Sequence, residues 1–219
     1  MITQAELIVE VTRIIQDSSY SDAVQLTFLN QAMQDIAGDP RILLPDLESQ
    51  ANVTTSTTLS YVALPTTFQK NLFDCYNTGR NYHHKIYGSL EDLQRRFTNL
   101  DSNGNIRGVA IRGSNLHYQR IPSTAETLQL HFYRLPVDMA AVGATPDGLP
   151  AHLAKPLLVH HACAGIFGEI EQDMKGGKVN ALYHEGEFNK ALAKLIGFIG
   201  PNAKTPVDVE MEIDWENYL

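Results

Sequence analysis

Apolar residues in this chain recur every three to four positions up to about residue 40, every second position between about 50 and 136, and every three to four again from about 151 to 199. The two periods cannot share one element, because a helix brings positions i, i+3 and i+4 together whereas a strand alternates its faces. The chain is therefore helical at both ends and β in the middle. A helix with one apolar stripe needs a partner to bury it, and each end of the chain offers a pair of such helices. The expected fold is α+β. It comprises a helical bundle built from residues 1–40 and 150–199, an antiparallel β region inserted at 50–136, and an extended acidic C-terminal arm at 200–219.

Local signals place the elements. Thr3 and Glu6 stand at capping-box spacing, and Leu7, Ile8, Val11, Ile14 and Ile15 follow at helical intervals. The run SSYS at 18–21 breaks that helix and supplies a new N-cap. Leu26, Leu29, Met33 and Ile36 form the stripe of the second helix, which Gly38 and Asp39-Pro40 end. In the middle zone ANVTTSTTLSYVALP, LFDCYN and YHHKIYG read as strands, the last two around the turn NTGR. SLEDLQRRF reads as a short helix with Ser89 and Asp92 at capping spacing. VAIRGSNLHYQRIP reads as a hairpin turning at Gly-Ser-Asn, and AETLQLHFYRLP as a strand that sends Leu128, Leu130 and Phe132 to one face. After the turn-rich VGATPDGLP, two helices are expected at about 151–174 and 179–199, separated by KGGK.

The 219 residues suffice to bury a sizeable core. A net charge of −8 opposes any role that grips a nucleic-acid backbone, which needs clustered Lys and Arg. Half of that charge lies from Lys204 onward, where Asp208, Glu210, Glu212, Asp214 and Glu216 face one lysine for a local −4. No apolar run approaches the roughly 20 residues that span a bilayer, so no membrane role is expected. MITQAELIVEV lacks the basic start and apolar core of a secretory signal. Cys75 and Cys163 stand in no CxxC spacing and are expected to be reduced, partly buried thiols of a chain made in a reducing cytoplasm.

One stretch invites a chemical reading. LLVHHACAGIFGEIEQD, residues 157–173, holds two histidines, a cysteine and three acids. Projected at 100° per residue, Val159, Cys163, Ile166, Phe167, Ile170 and Met174 share one arc, the expected core face. His161 falls opposite, in line with Gly165, Gly168 and Gln172, a face of small residues suited to another helix, another subunit or solvent. His160 and Cys163, at i and i+3, could supply half of a zinc site, with a carboxylate such as Glu169 beside them, but nothing in the sequence points to the remaining ligands. Packing is expected here rather than chemistry, and no catalytic residue, metal ligand or cofactor is assigned. In NLDSNGNIRG, a calcium loop starting at Asp101 would place Gly at position 4 and Arg112 at position 12, so a polar turn is expected. His83 and His84 point to opposite sides of a strand, read as a surface edge. GxSxG, P-loop, GxGxxG and HExxH signatures are absent from the sequence.

The arm carries a different signal. In VDVEMEIDWE, Val207, Val209, Met211, Ile213 and Trp215 alternate with five acids, giving one apolar and one acidic face on an extended strand. Pro201 and Pro206 detach it from the last helix. A terminal strand without a hairpin partner has backbone groups that a foreign sheet edge can satisfy. The other reading is a disordered acidic tail, against which the five apolar residues, including the only Trp, argue.

The order of parts resembles the head-to-tail adaptor (connector) proteins of tailed bacteriophages. FLNQAMQDIAG carries the LN-x-A helix of that family, YVALPTTFQKNL its Tyr-x-x-Leu-Pro segment before Phe, LQLHFYRLPVDM its Tyr-Arg-x-Pro strand end, and PDGLPAHLAKPLLVHHACAGIFGE its Leu-Pro-entered helix, followed by ALYHEGEFNKALAKL. The likeness covers about residues 20 to 198. It implies a non-enzymatic virion protein, made in the host cytoplasm and placed at the head–tail junction. Such adaptors form a ring, typically of twelve copies, between the portal protein and tail or nozzle proteins, with DNA passing through without specific binding. An acidic lining suits such a conduit, since it repels the sliding duplex.

Partner-binding residues expected on this reading are Val207, Val209, Met211, Ile213 and Trp215 on the arm, and His161, Gly165 and Gly168 on the helix. Tyr61, Phe68, Tyr82, Tyr87 and Phe97 are available to a ring interface. Two alternatives stand beside it: a stopper or tail-terminator protein of the same neck, and a zinc-dependent hydrolase using His160 and Cys163.

Overall fold

A computed structural model of the chain describes residues 2–141, 143–172 and 177–200, so the acidic arm from Pro201 onward and Met174 lie outside the described residues. Its helices are α1 (Gln4–Ile15), α2 (Asp22–Gly38), α3 (Leu90–Arg96), α4 (Ala151–Ile170) and α5 (Val179–Ile199). The chain divides into two compact units, a helical one from either end of the sequence and a β unit spanning residues 48–134.

In the helical unit the capping box forms as expected. Glu6 Oε2 accepts from the Thr3 amide at 2.8 Å, and Thr3 Oγ1 accepts from the Glu6 amide at 3.4 Å. Leu7, Val11 and Ile15 are buried on α1. On α2 the core stripe is Gln25, Leu29, Ala32, Met33 and Ile36, and Leu26 is only half-buried. A glutamine is tolerated inside because its polar atoms are matched: Gln25 Nε2 donates to the Tyr20 carbonyl at 2.8 Å and Oε1 accepts from the Thr12 hydroxyl at 3.0 Å. That bond ties α2 to α1.

Helix α4 is the central element, packed against α1, α2 and α5. It therefore buries more than one arc. Leu153, Leu157, Leu158 and Ala162 are buried together with Val159, Cys163 and Ile166, while Phe167 and Ile170 are half-buried. The helix also ends at Ile170, earlier than the spacing suggests. Glu171 turns instead toward the start of α5, where its carboxylate accepts from the Asn180 amide (3.1 Å), Asn180 Nδ2 (2.7 Å) and the Ala181 amide (3.2 Å). The two backbone amides are first-turn donors with no partner inside α5, at the positive end of its dipole. Burial works to raise the Glu171 pKa, but the bonds from Ala181 and Asn180 overcome it and hold the carboxyl below its usual range. Before α4, Gly148 adopts φ +75°, and a Cβ there would stand 2.5 Å from Leu47 Cγ, so PDGLP requires glycine at that position.

The β unit consists of β1 (Glu48–Thr54), β2 (Tyr61–Ala63), β3 (Phe68–Asn77), β4 (Tyr82–His83), β5 (Lys85–Tyr87), β6 (Gly108–Arg112), β7 (Asn115–Gln119) and β8 (Thr127–Arg134). They make two four-stranded sheets, ordered β1-β8-β3-β4 and β2-β7-β6-β5. One core joins their buried faces: Val53, Leu72 and Cys75 with Leu128, Leu130 and Phe132 from the first, Val109, Leu116 and Tyr118 from the second. The expectation of a purely antiparallel region needs one correction, since β5 and β6 pair in parallel. Parallel neighbours require a crossover. Helix α3 supplies it, packing Leu90 and Leu93 on Ala110 with Tyr87 and Phe97 alongside.

The expected first strand is also split, into β1 and β2, because the intervening loop wraps a buried hydroxyl. Tyr118 is fully buried, and its Oη accepts from the Ser56 amide at 2.7 Å and donates to the Leu59 carbonyl at 2.9 Å. Tyr118→Phe leaves both backbone groups unmatched, so a loss of about 2 kcal/mol is expected in urea unfolding. Faster amide exchange at Ser56 should accompany it; unchanged exchange there would show that the loop does not depend on the hydroxyl.

Candidate functional site

Four aromatic side chains meet between α4 and α5. His160 Nδ1 lies 2.9 Å from His184 Nδ1, with Phe167 stacked on His184 at 5.5 Å and Tyr183 edge-on at 5.2 Å. A single proton occupies the space between the two nitrogens, so one ring is the Nδ1–H tautomer and the other accepts. Burial lowers the pKa of both rings; on His184 the neighbouring His160 lowers it further, and Glu187 opposes the trend on each. His160 is thus committed to a partner on α5. The sequence carried a trace of it, since His184 shares the buried face of α5 with Ala181, Ala191 and Leu195.

The expected outer face of α4 is only partly covered within the helical unit, and Gly165 and Gln172 remain exposed. His161 stands edge-on to Phe188 at 4.8 Å, with Nε2 3.3 Å from Asp35 Oδ2; burial lowers its pKa and Asp35 opposes this. A Cβ on Gly165 would come within 3.0 Å of the Phe28 ring, so glycine lets α2 approach α4 closely, whereas nothing lies within 4 Å of such an atom on Gly168. Phe28, Gln31, His161, Gly165, Glu185 and Phe188 line a shallow groove of about 320 Å³.

The residues of the zinc reading are not brought together. His160 faces α5, Cys163 is fully buried, and Glu169 accepts from the Tyr20 hydroxyl at 3.1 Å. Among the described residues no three His, Cys, Asp or Glu side chains are placed to hold an ion. Cys75 and Cys163 are free and fully buried rather than partly so, and burial pushes both thiols up to about 12, with Asp74 adding to the effect on Cys75. His83 and His84 do face opposite ways. His83 Nδ1 meets Asp74 at 2.7 Å on the surface, but His84 is 3% exposed, which corrects the reading of both as a surface edge. Alternation about β4 sends the second ring inward.

Exposed apolar groups mark the remaining surface. Val179, Leu182 and Tyr183 stand out at the start of α5, and Val9 on α1. Of the aromatics available to an interface, Tyr61 is exposed, whereas Phe68 packs on Phe132 and Tyr87 on Phe97. Tyr82 lies edge-on to the buried His84. No described helix is long and apolar enough to cross a membrane.

The motif residues themselves have structural tasks. Asn30, in FLNQAM, clamps the segment that leads back from the β unit: its Oδ1 accepts from the Met139 amide at 2.9 Å and its Nδ2 donates to the Met139 carbonyl at 3.4 Å. The Pro65 carbonyl of YVALP accepts from the Phe68 amide at 2.9 Å, closing the turn into β3. Pro150 of the Leu-Pro step caps α4, its carbonyl accepting from the Leu153 and Ala154 amides.

No curated protein matches the chain. The family model described as SU10 adaptor protein matches residues 2–209, extending the likeness read from the motifs at both ends and leaving out only Met1 and the last ten residues. The resemblance to bacteriophage adaptors is borne out: the chain belongs to the SU10 adaptor protein family and is a structural adaptor of a phage virion.

Proposed function

We propose that this chain is the ring-forming subunit that joins the portal protein to the tail or nozzle proteins at the head–tail junction, with DNA passing through the ring. The observation that carries this reading is the family match over residues 2–209 on a helical unit with an inserted β unit. The net charge of −8 suits a conduit that must not hold the duplex. The protein is non-enzymatic on this reading, made in the host cytoplasm and incorporated at the neck. The helical unit contributes to docking on the portal and on neighbouring subunits, with the face of His161, Gly165 and Gly168 as one contact, and the β unit faces the tail. The arm, through Val207, Val209, Met211, Ile213 and Trp215, binds a neighbouring subunit or partner.

Co-assembly with the portal protein, imaged directly, tests the reading. A twelvefold ring seated on the portal is expected. A sixfold ring that binds the tail side and ignores the portal would replace it with a stopper or tail terminator. Deleting residues 205–219 should abolish ring formation or portal binding, and a truncated chain that assembles normally would remove the arm from the interface.

A further inference from the structure

We infer that the arm, residues 204–219, docks as an added strand on the open edge of β1 in a second copy of the chain. The inference rests on the adaptor-ring reading above and supplies the arm with a seat. Strand β1 pairs with β8 without interruption from Glu48 to Thr54, and no described strand pairs with its other side. The remaining edge strands are guarded by shortness: β2 and β5 have three residues and β4 has two, against seven in β1. Edges of that length are normally protected by Lys, Pro or a bulge. ESQANVT contains neither residue, and its register with β8 has no bulge.

Pattern and charge name the occupant. Along β1, Ala51 and Val53 face the core while Gln50, Asn52 and Thr54 are exposed. An arm strand beside it would set Val207, Val209, Met211 and Ile213 on the core side and the acids on the exposed side. The chain as a whole is acidic, yet residues 48–134 hold nine Lys and Arg against six Asp and Glu, a net +3. The arm carries −4, and the rest of the chain, seven basic against fourteen acidic residues, carries −7. Electrostatics therefore draws the arm to the β unit and away from the helical one. A contact that uses a different surface on each partner repeats around a closed ring, which is why the seat lies in a second copy.

Disulfide trapping in the full-length chain tests the seat, because the native thiols are buried. One copy carries Gln50→Cys; a second, distinguishable by mass, carries Glu210→Cys, Glu212→Cys or Asp214→Cys in turn, so that any register is sampled. Mild oxidation should give a mixed dimer in at least one pairing, about tenfold above a control with Glu91→Cys on α3 in place of Gln50→Cys. Adding Asn52→Glu to the first copy should cut the yield about tenfold, because it sets a like charge beside the acids of the arm. Native mass of the unoxidised mixtures separates the outcomes. An oligomer without the link overturns the seat and leaves the ring standing. A doubly substituted chain that closes on itself as a monomer overturns the second copy. A chain that stays monomeric and unlinked at every concentration overturns the self-docking, and portal co-assembly then decides the ring.

Discussion

Glu126→Ala is expected to lower stability by about 3 kcal/mol, at the low end of what breaking a buried charged pair costs. The carboxylate sits at the head of β8 and is the hub of the turn NTGR. Its Oε2 accepts from Asn77 Nδ2 at 2.6 Å, and its Oε1 accepts from Arg80 at 2.8 Å (Nε) and 2.7 Å (Nη2). Asn77 is fully buried, and its Oδ1 accepts from the Gly79 and Arg80 amides, so its orientation fixes the turn. Removing Glu126 strands the Asn77 amide inside, whereas Arg80, with a side chain 44% exposed, can turn to water. Glu126→Gln keeps one acceptor for Asn77 and should recover part of the loss. Urea unfolding measures both, and an alanine variant within about 0.5 kcal/mol of the parent would mean that the Glu126 carboxylate does not hold the turn.

Why Asn77 and Glu126 escape a reading of the sequence is also why the broad fold does not. Period and capping are local: the Thr3–Glu6 box, the Ser89–Asp92 cap, the Gly113 turn and the inward set Leu128, Leu130, Phe132 all depend on near neighbours, and all form. Long-range partners leave no period. His160 projects beside the core arc of α4, but only the return of α5 puts His184 against it, 24 positions later. The single core arc expected on α4 assumes one neighbouring element, while three helices enclose it. Parallel pairing of β5 with β6 is likewise invisible in each strand, since it depends on where α3 carries the chain. His161 and Gly165 illustrate the limit at the candidate site: the projection puts them on a shared face, but not that Asp35, Phe188 and Phe28 lie over it.

Acid should weaken the fold most through a residue the sequence placed at the surface. His84 is 3% exposed, and neither ring nitrogen has a hydrogen-bond partner among the described residues. Burial, reinforced by the nearby charges of Arg80 and His83, pushes its pKa down to about 4. In the unfolded chain the same ring titrates near 6.5. Between those values the unfolded state binds the proton and the folded state does not, so stability rises with pH through the window. The contribution is complete above about pH 6.5 and is lost as pH falls through 4, a change of about 3 kcal/mol from this one group. His160, His161 and His184 are shifted in the same direction and add to the slope from the helical unit.

His84→Phe separates the contributions, because it keeps a ring of similar shape, removes the titration and relieves two unmatched nitrogens. At pH 7 it should match or exceed the parent by about 1 kcal/mol. At pH 4.5 it should be more stable than the parent by about 2 to 3 kcal/mol more than at pH 7, measured by urea unfolding at each pH. A phenylalanine variant that loses as much as the parent on acidification would place the acid sensitivity on the α4–α5 histidines, where His184→Phe would then have to abolish it.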